Sequence, residues 1–247
     1  MSKTKEFFDV TKSYLLRLVN EEKPQILAAA KMMGDCMNTD GIIQLFGLDH
    51  GVAFSMELGY RAGGLMPFHQ MRTSDLVLRG VITEAEYTKV DFNNDIEMAH
   101  KLLSLYNIAP HDMFCLISFA GNEALIVEVA LQAKKQQQRI IAVINKRLSA
   151  AAPVLHPSGK KLSDVADLTL DVLAPNPDTV ITLSDGSPFN QVSSICGNVM
   201  AQMLTAETYR YLTDQGSDCP VLLSANVKGA DTHNRVISDK YLGRWNS

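Results

Sequence analysis

Two titratable side chains stand at positions that suit acid–base chemistry. Glu57 and Arg61 lie four residues apart in a stretch with helical spacing, so a carboxylate held beside a guanidinium could move a proton between adjacent carbons of a ligand. His233 lies near the expected start of the last helix, where Asp231 could orient its ring. A surface ion pair in the first case, and an exposed histidine beside a cap at Asp231 or Thr232 in the second, fit the same spacing. Residue types alone leave both interpretations open.

Polar and glycine-rich loops follow several apolar runs, and they contain the candidate ligand contacts. The loop 118–123, Ser-Phe-Ala-Gly-Asn-Glu, follows an apolar run and precedes a helical pattern. Parallel sheets bind ligands at such loops, because helix N-termini direct backbone N–H groups at anions. The loop 47–51 and the polar segments 156–161 and 224–234 are further candidates. The residues selected in these loops are Gly47, Asp49, His50, Ser118, Gly121, Asn122, Ser158, Gly159, Lys160, Asn226 and Asp231.

Each loop also has a structural interpretation. Asp49 fits the N-cap of the helix that follows it, and the segment 156–161 fits a turn with solvated lysines. The loop 118–123 has a single hydroxyl where a phosphate site usually offers several, and it contains the acid Glu123. This composition predicts a weakened or altered phosphate site.

A parallel sheet covered by helices must position these loops. The apolar runs 113–117 and 140–144 flank a helical pattern, and a strand–helix–strand crossover makes two such runs parallel neighbours. The other predicted strands are 42–46, 168–171 and 180–183; the other predicted helices are 50–62, a long helix that includes 192–203, and one that begins near 231 or 232. Residues 70–95 lack clean periodicity and are expected to form an irregular cover.

Two helices precede the first strand, and the second of them begins at Pro24. Because no strand comes earlier, we expect this helical arm, 1–39, to pack on a sheet edge or on a partner subunit. Residues 40–247 then form an α/β core with C-terminal helices. No repeat or linker divides the chain, so we expect one domain over 1–247.

Composition excludes some classes of protein. The net charge of −4 and the lack of a basic patch give no support for a nucleic-acid partner. No segment has the length and apolarity of a membrane span, and the N-terminus lacks the pattern of a signal peptide, so we expect a cytoplasmic protein without a membrane partner. The four cysteines and six histidines lack metal-type spacing, so we expect buried free thiols, no metal site and no cofactor.

Four segments share their order and spacing with a known family. They are GLDHGVAFSMELGYRAGGL (47–65), CLISFAGNEALIVEVALQAKKQQQRIIAVIN (115–145), HPSGKKLSDVAD (156–167) and SANVKGADTHN (224–234). The chain resembles the sugar isomerase (SIS) domain proteins, in particular the bacterial group related to phosphoheptose isomerase and N-acetylmuramic acid 6-phosphate etherase. The resemblance implies a three-layer αβα sandwich with a five-stranded parallel sheet in flavodoxin-like winding. It also implies a homodimer or homotetramer with a sugar phosphate or amino-sugar phosphate as ligand.

The resemblance further implies roles for single residues. In the related heptose isomerases a glutamate after the first loop and a histidine near the C-terminus form the acid–base pair, which implies Glu57 and His233 here. Asn145 stands where the family usually has serine or threonine, and it is a further candidate ligand contact. The implied activity is aldose–ketose isomerisation of the phosphoheptose type. Because Leu48 and Gly51 replace serines that relatives carry, a non-catalytic sugar- or amino-sugar-binding module is the alternative, and ether cleavage is a third.

Overall fold

The centre of the molecule is a parallel sheet of five strands. The computed structural model describes residues 2–245. In chain order the strands are β1 (Ile43–Gly47), β2 (Phe68–Met71), β3 (Met113–Ile117), β4 (Ile140–Ile144) and β5 (Leu168–Asp171). Their order across the sheet is β2-β1-β3-β4-β5, which confirms the predicted flavodoxin-like winding. All residues of β1, β3 and β4 are buried, as expected of strands that are covered on both faces.

Helices cover both faces of this sheet. They are α1 (Lys3–Glu21), α2 (Lys23–Met37), α3 (Gly51–Leu58), α4 (Ser74–Leu78), α5 (Glu84–Tyr87), α6 (Ile96–Leu103), α7 (Ala124–Lys135), α8 (Lys146–Ala151), α9 (Leu162–Val165), α10 (Ser193–Asp214) and α11 (Ala230–Asp239). Successive side chains of a strand point to opposite faces, so Leu45 joins the apolar cluster under α2, α3 and α10. Its neighbour Phe46 joins the cluster under α6, α7 and α9. The predicted three layers are therefore confirmed.

The fifth strand differs from the prediction. It is β2, at the edge of the sheet, whereas residues near 180–183 form a separate antiparallel hairpin of β6 (Thr179–Thr182) and β7 (Pro188–Gln191). The sequence of β2, Phe-His-Gln-Met, has polar residues in its middle, and His69 is buried because Gln44 of β1 binds its ring. An apolar run identifies strands that are covered on both faces, and this edge strand has no such run. The prediction of an irregular cover over 70–95 was wrong at its start, because residues 70 and 71 belong to β2. Short helices form much of the rest of this segment.

The predicted helix over 50–62 ends at Leu58, where Gly59 becomes extended. The following residues leave the helix because their backbone pairs with a distant segment: Gly63 N–H donates to Leu222 O at 2.7 Å, and Leu222 N–H donates to Gly64 O at 2.9 Å. A long-range contact of this kind overrides the local helical pattern. The segment 63–66 therefore joins the C-terminal part of the chain to the amino-terminal edge of the sheet.

The N-terminal arm packs differently from the prediction. Ile26 and Met33 of α2 are at most 1% exposed and belong to the cluster on one face of the sheet. This helix lies against α10, β1 and β5. It thus forms part of a covering layer, and the prediction of packing on a sheet edge was wrong for it.

The thiols agree with the prediction in part. Cys36, Cys115 and Cys196 are buried and Cys219 is half-buried, and none forms a disulfide. Burial raises the pKa of the Cys36 and Cys115 thiols to about 12, so neither is a nucleophile at neutral pH. None of the helices in residues 2–245 combines the length and the apolarity that crossing a bilayer requires.

Candidate functional site

A cavity of about 310 Å³ opens at the carboxyl edge of the sheet. Its walls come from the loops after β1 and β3, from the start of α8, from the segment after β5 and from the start of α10. The residues that line it are Leu48, Asp49, His50, Phe119, Ala120, Glu123, Leu148, Pro175, Asn176, Pro177, Asp178, Gln191 and Ser193. This is the position at which parallel α/β sheets bind small ligands.

The loop after β1 brings Asp49 and His50 to the cavity, as predicted. His50 is the N-cap of α3, so the alternative in which Asp49 caps this helix is wrong. Asp49 instead has a φ of 49° and accepts a hydrogen bond from the Asn93 amide at 3.3 Å. Gly47 is required by sterics, because a Cβ there would lie 2.3 Å from the carbonyl oxygen of Gly51. The candidate Gly47 therefore shapes the loop, and it is not among the residues that line the cavity.

The loop after β3 is organised by Ser118, which is 1% exposed. Its Oγ accepts a hydrogen bond from Gly121 N–H at 2.8 Å and donates one to the carboxylate of Glu123. Gly121 has a φ of 64°, in the left-handed region that favours glycine. The one hydroxyl of the loop is therefore engaged by the chain itself.

Two amide candidates bind backbone groups. Asn122 donates to the Pro153 carbonyl at 2.9 Å. Asn145 caps α8, since its Oδ1 accepts from the N–H groups of Arg147 at 3.1 Å and Leu148 at 3.2 Å. Both side chains hold loops in place around the cavity, and neither lines it.

The cavity has an acidic lining. Three carboxylates, those of Asp49, Glu123 and Asp178, face it, and none of its lining residues is a lysine or an arginine. Asp178 also accepts a hydrogen bond from the hydroxyl of Ser193 at the start of α10. Such a lining favours a cationic or hydrogen-bond-donating ligand and opposes an anion.

The segment Ser158–Lys160 lies elsewhere, in a turn fastened to the outer side of α7. His156, two residues before this segment, fastens the turn: its Nδ1 accepts from Ser158 N–H at 3.0 Å, and its Nε2 donates to the carboxylate of Glu128 at 2.9 Å. Ser158, Gly159 and Lys160 are exposed and are not among the residues that line the cavity. Their placement fits the structural interpretation of this segment.

Glu57 lies two turns along α3 from the cavity. Its carboxylate binds the guanidinium of Arg61 and the amide of Gln202 on α10. The predicted ion pair is therefore present, but only Glu57 belongs to α3, because the helix ends at Leu58 and Arg61 follows it. Glu57 is not among the residues that line the cavity.

His233 lies at the opposite edge of the sheet. Its Nε2 donates to the carbonyl oxygen of Val221 at 3.0 Å, and Val221 is bridged to Leu65, just before β2. The candidates Asn226 and Asp231 are exposed on the same C-terminal segment. Within one chain, Glu57 and His233 are therefore not brought together at the cavity.

The sequence interpretation missed part of the cavity. Phe119 and Ala120 were in a selected loop but were not selected, and no residue of the turn Pro175–Asp178 was selected. The position of that turn directly after the strand 168–171 was a usable signal, because every strand-end loop of a parallel sheet lies at the same edge. Ser193 had no comparable signal. Within residues 2–245, no group of three His, Cys, Asp or Glu side chains is arranged to hold a metal ion.

Comparisons with known proteins agree on the family. The model described as SIS domain matches residues 6–145. A UPF0309 protein of Geobacillus kaustophilus is 30% identical over 241 residues, which cover 97% of this chain and 94% of the relative. A UPF0309 protein of Listeria monocytogenes is 29% identical over 236 residues, which cover 95% of this chain and 94% of the relative.

Solved structures agree on the fold. The phosphoheptose isomerase from Francisella tularensis has a TM-score of 0.55 at 18% identity, over 84% of this chain and 98% of that chain. The phosphoheptose isomerase from Neisseria gonorrhoeae has a TM-score of 0.54 at 16% identity, over 85% and 97%. At such identities the likeness concerns the arrangement of the sheet and helices.

Proposed function

Because the chain belongs to the SIS domain family, we propose that it is a sugar-binding protein whose ligand occupies the cavity at the carboxyl edge of the sheet. The ligand is a monosaccharide that meets the cavity with hydroxyl groups and a protonated amine. The observation that carries this proposal is the acidic lining formed by Asp49, Glu123 and Asp178. Carboxylates accept hydrogen bonds from both kinds of group, and they attract an ammonium ion.

The size and the apolar part of the cavity suit a sugar ring. A volume of about 310 Å³ is at the lower end of the range for small-molecule sites. Leu48, Phe119, Leu148 and Pro175 supply an apolar wall for the C–H face of a ring. In such a cavity the polar contacts to the acids orient the sugar, and burial of its apolar face against this wall supplies affinity.

A phosphate group is disfavoured in this cavity. Two unit charges of the same sign 4 Å apart near a protein surface repel by about 4 kcal/mol at an effective dielectric constant of 20. Glu123 is the N-cap residue of α7, so its negative charge lies near the positive end of that helix. An incoming phosphate would therefore meet a charge of the same sign at this turn.

The proposal is tested by calorimetric titration of the whole protein with glucosamine, glucose and glucose 6-phosphate at mildly acidic pH, where the amine is protonated. We expect glucosamine to bind more tightly than glucose. Asp178→Asn and Asp49→Asn should each lower the affinity for glucosamine about tenfold and leave the affinity for glucose nearly unchanged. Asp185→Asn, in the exposed turn between β6 and β7, is the matched control. Equal affinity for glucosamine and glucose, or no effect of either substitution, would contradict the proposal.

The second candidate function is aldose–ketose isomerisation of a sugar phosphate, of the phosphoheptose type. The observation that favours it is that His50 and Glu123, the N-cap residues of α3 and α7, both line the cavity, because helix N-termini beside a cavity are a common place for anions to bind. Glu57 and His233 are its proposed acid–base pair. Since they lie apart in one chain, this function requires a homodimer or homotetramer in which two subunits complete each site.

The two candidates differ in measurable ways. An isomerase would convert sedoheptulose 7-phosphate to its aldose isomer. In such an enzyme Glu57→Gln would abolish turnover, and Ser118→Ala would lower the affinity for the substrate. Turnover retained in Glu57→Gln would contradict the assigned role of Glu57. If the protein sediments as a monomer under assay conditions and still converts the substrate, two subunits are not needed to complete each site.

A further inference from the structure

A second cavity, of about 390 Å³, runs along the edge strand β2. It shares no lining residue with the carboxyl-edge cavity. The residues that line it are Met56, Gly59, Tyr60, His69, Gln70, Arg72, Asp75, Arg79, Tyr106 and Trp245. We call it the edge groove. Its lining combines guanidinium groups, aromatic rings and a buried histidine.

A chain of buried hydrogen bonds fixes the orientation of His69. Arg244 binds both oxygens of Asp112, which is 2% exposed. The Gln44 amide donates to Asp112 Oδ2 at 3.0 Å, so its carbonyl oxygen is left to accept from His69 Nδ1 at 2.8 Å. This order of donors places the imidazole proton on Nδ1.

The other ring nitrogen of His69 is consequently a bare acceptor. His69 is 6% exposed and lines the groove, yet its Nε2 receives no hydrogen bond from residues 2–245. Burial lowers the pKa of His69 to about 4, so the ring stays neutral at physiological pH. An acceptor that has no donor among these residues is available to a ligand O–H or N–H.

Two guanidinium groups give the groove a positive charge. Arg72 Nε donates to Gln70 Oε1 at 2.8 Å, and its Nη2 binds the same oxygen, so Nη1 is left for other partners. Arg79 lies over the Tyr106 ring, 5.5 Å from its centroid, and its Nη1 is the one nitrogen of this side chain that has an acceptor among residues 2–245, the carbonyl oxygen of Leu105. Two guanidinium groups in the lining of one cavity suit a phosphate or carboxylate.

One acid lines the groove, and it is already engaged. Asp75 accepts a hydrogen bond from the hydroxyl of Tyr106 at 2.5 Å. The net charge of the lining is therefore about +1, the opposite of the carboxyl-edge cavity. Near one end, Tyr60 and Trp245 meet edge to face with ring centroids 5.1 Å apart, which offers an apolar surface.

We propose that the edge groove is a second ligand site, which binds a small anionic sugar, either a sugar acid or a sugar phosphate. Arg72 and Arg79 hold the anionic group, His69 Nε2 accepts a hydrogen bond from a ligand hydroxyl, and Trp245 covers the C–H face of the ring. This site is independent of the function proposed for the carboxyl-edge cavity, because the two cavities have different walls and opposite charge.

Trp245 makes the proposal directly testable. It is the single tryptophan of the chain, so its fluorescence reports on the groove and not on the carboxyl-edge cavity. Whole protein is titrated with glucose 6-phosphate, glucuronate, inorganic phosphate and glucose. We expect a saturable change with the first two, a weaker response to phosphate and none to glucose. The relative affinities of glucose 6-phosphate and glucuronate decide between the two anionic groups.

Substitutions separate a built site from general attraction of anions. The double variant with Arg72→Gln and Arg79→Gln should bind the sugar anion with an affinity at least tenfold lower than that of wild type. His69→Asn keeps a donor towards Gln44 and removes Nε2. It should lower the affinity for the sugar anions but not the affinity for inorganic phosphate. Arg210→Gln, on the exposed side of α10, is the matched control and should bind like wild type. The melting temperature of each variant checks that it folds.

Three results would overturn the proposal. The first is no saturable fluorescence change with any anion. The second is equal loss of affinity in Arg210→Gln and in the double variant, which would indicate only bulk charge. The third is a folded His69→Asn variant that binds sugar anions as tightly as wild type does.

Discussion

The hydroxyl of Ser118 donates a hydrogen bond to the carboxylate of Glu123, across the turn that ends β3 and begins α7. Glu123 is the N-cap residue of α7, so its charge lies at the positive end of that helix. A carboxylate and a phosphate present the same kind of acceptor oxygen to a hydroxyl. The chain's own acid therefore uses the donor that an anionic ligand of this loop would need.

Replacing this acid should restore anion binding. We expect Glu123→Ser to increase the affinity for glucose 6-phosphate at least tenfold, because the substitution removes a repulsive charge and frees the Ser118 hydroxyl. Calorimetry measures the gain. The substitution is made in the Arg72→Gln, Arg79→Gln background, so that the edge groove does not contribute.

The matched control for this change is Glu97→Ser. Glu97 is an exposed acid in the first turn of α6, outside both cavities. It should leave the affinity unchanged. A gain of the same size in both variants would mean that total charge governs anion binding and that Glu123 does not block a specific position.

Gly121 should be the more sensitive of two left-handed glycines. Gly121 has a φ of 64°, and an added Cβ would lie 3.1 Å from Ile144 Cγ2. Gly159 has a φ of 74° with no atom within 4 Å of such a Cβ. Gly159→Ala should therefore cost only the backbone strain, about 1 kcal/mol, and Gly121→Ala about 2 kcal/mol or more. Urea unfolding with an unchanged m-value measures both, and equal losses would contradict the packing argument.

The fold was predictable where burial is two-sided. The runs that form β1, β3 and β4 are apolar throughout because helices cover both of their faces, so their positions follow from composition. The edge strand β2 could not be found in this way. Its His69 is buried with its Nδ1 bonded to Gln44 on the neighbouring strand and its ring packed against Tyr106 and Trp245, and contacts of this kind are not visible in a local pattern.

The site was predictable where it depends on strand ends. Asp49 and His50 lie just after β1, and both line the cavity at the carboxyl edge of the sheet, which is where parallel sheets bind ligands. Their role as ligand contacts stays a prediction. The positions of Glu57 and His233 depend on other features: the orientation of the α3 surface and the place where the C-terminal segment packs on the sheet. His233 is held by Val221, which pairs with residues before β2, so its position follows from a long-range bridge that spacing does not reveal.

His69 should make stability depend on pH between about 4 and 6.5. Burial lowers its pKa to about 4, an effect opposed by Asp112 and Asp75 and strengthened by Arg79 and Arg244. The unfolded chain binds a proton near pH 6.5, whereas the folded chain does not until about pH 4. Stability from this group is therefore complete above pH 6.5 and is lost as pH falls to about 4, by roughly 3 kcal/mol in total.

Comparing two proteins isolates this contribution from that of the carboxylates. The free energy of unfolding is measured by urea titration at several pH values for wild type and for His69→Asn. We expect the difference between them to shrink as pH falls from 6.5 to 4, because only wild type loses the contribution of a neutral buried imidazole. A difference that stays constant over this range would mean that His69 does not resist protonation.

Arg244 should be essential for stability because of the charge it neutralises. The side chain of Asp112 is fully buried and accepts N–H groups from Ile42 and Ala109 at 2.9 Å each, but Arg244 is the cation that binds it. Arg244→Ala leaves a buried carboxylate without its counter-charge, which should cost about 3 kcal/mol. Arg235→Ala, on the exposed side of α11, should cost less than about 0.5 kcal/mol. Adding Asp112→Asn to Arg244→Ala should recover part of the loss, because the uncompensated charge is then removed. Urea unfolding of the three variants tests this, and a double variant less stable than Arg244→Ala would show that the hydrogen bonds of Asp112, and not its charge, set the cost.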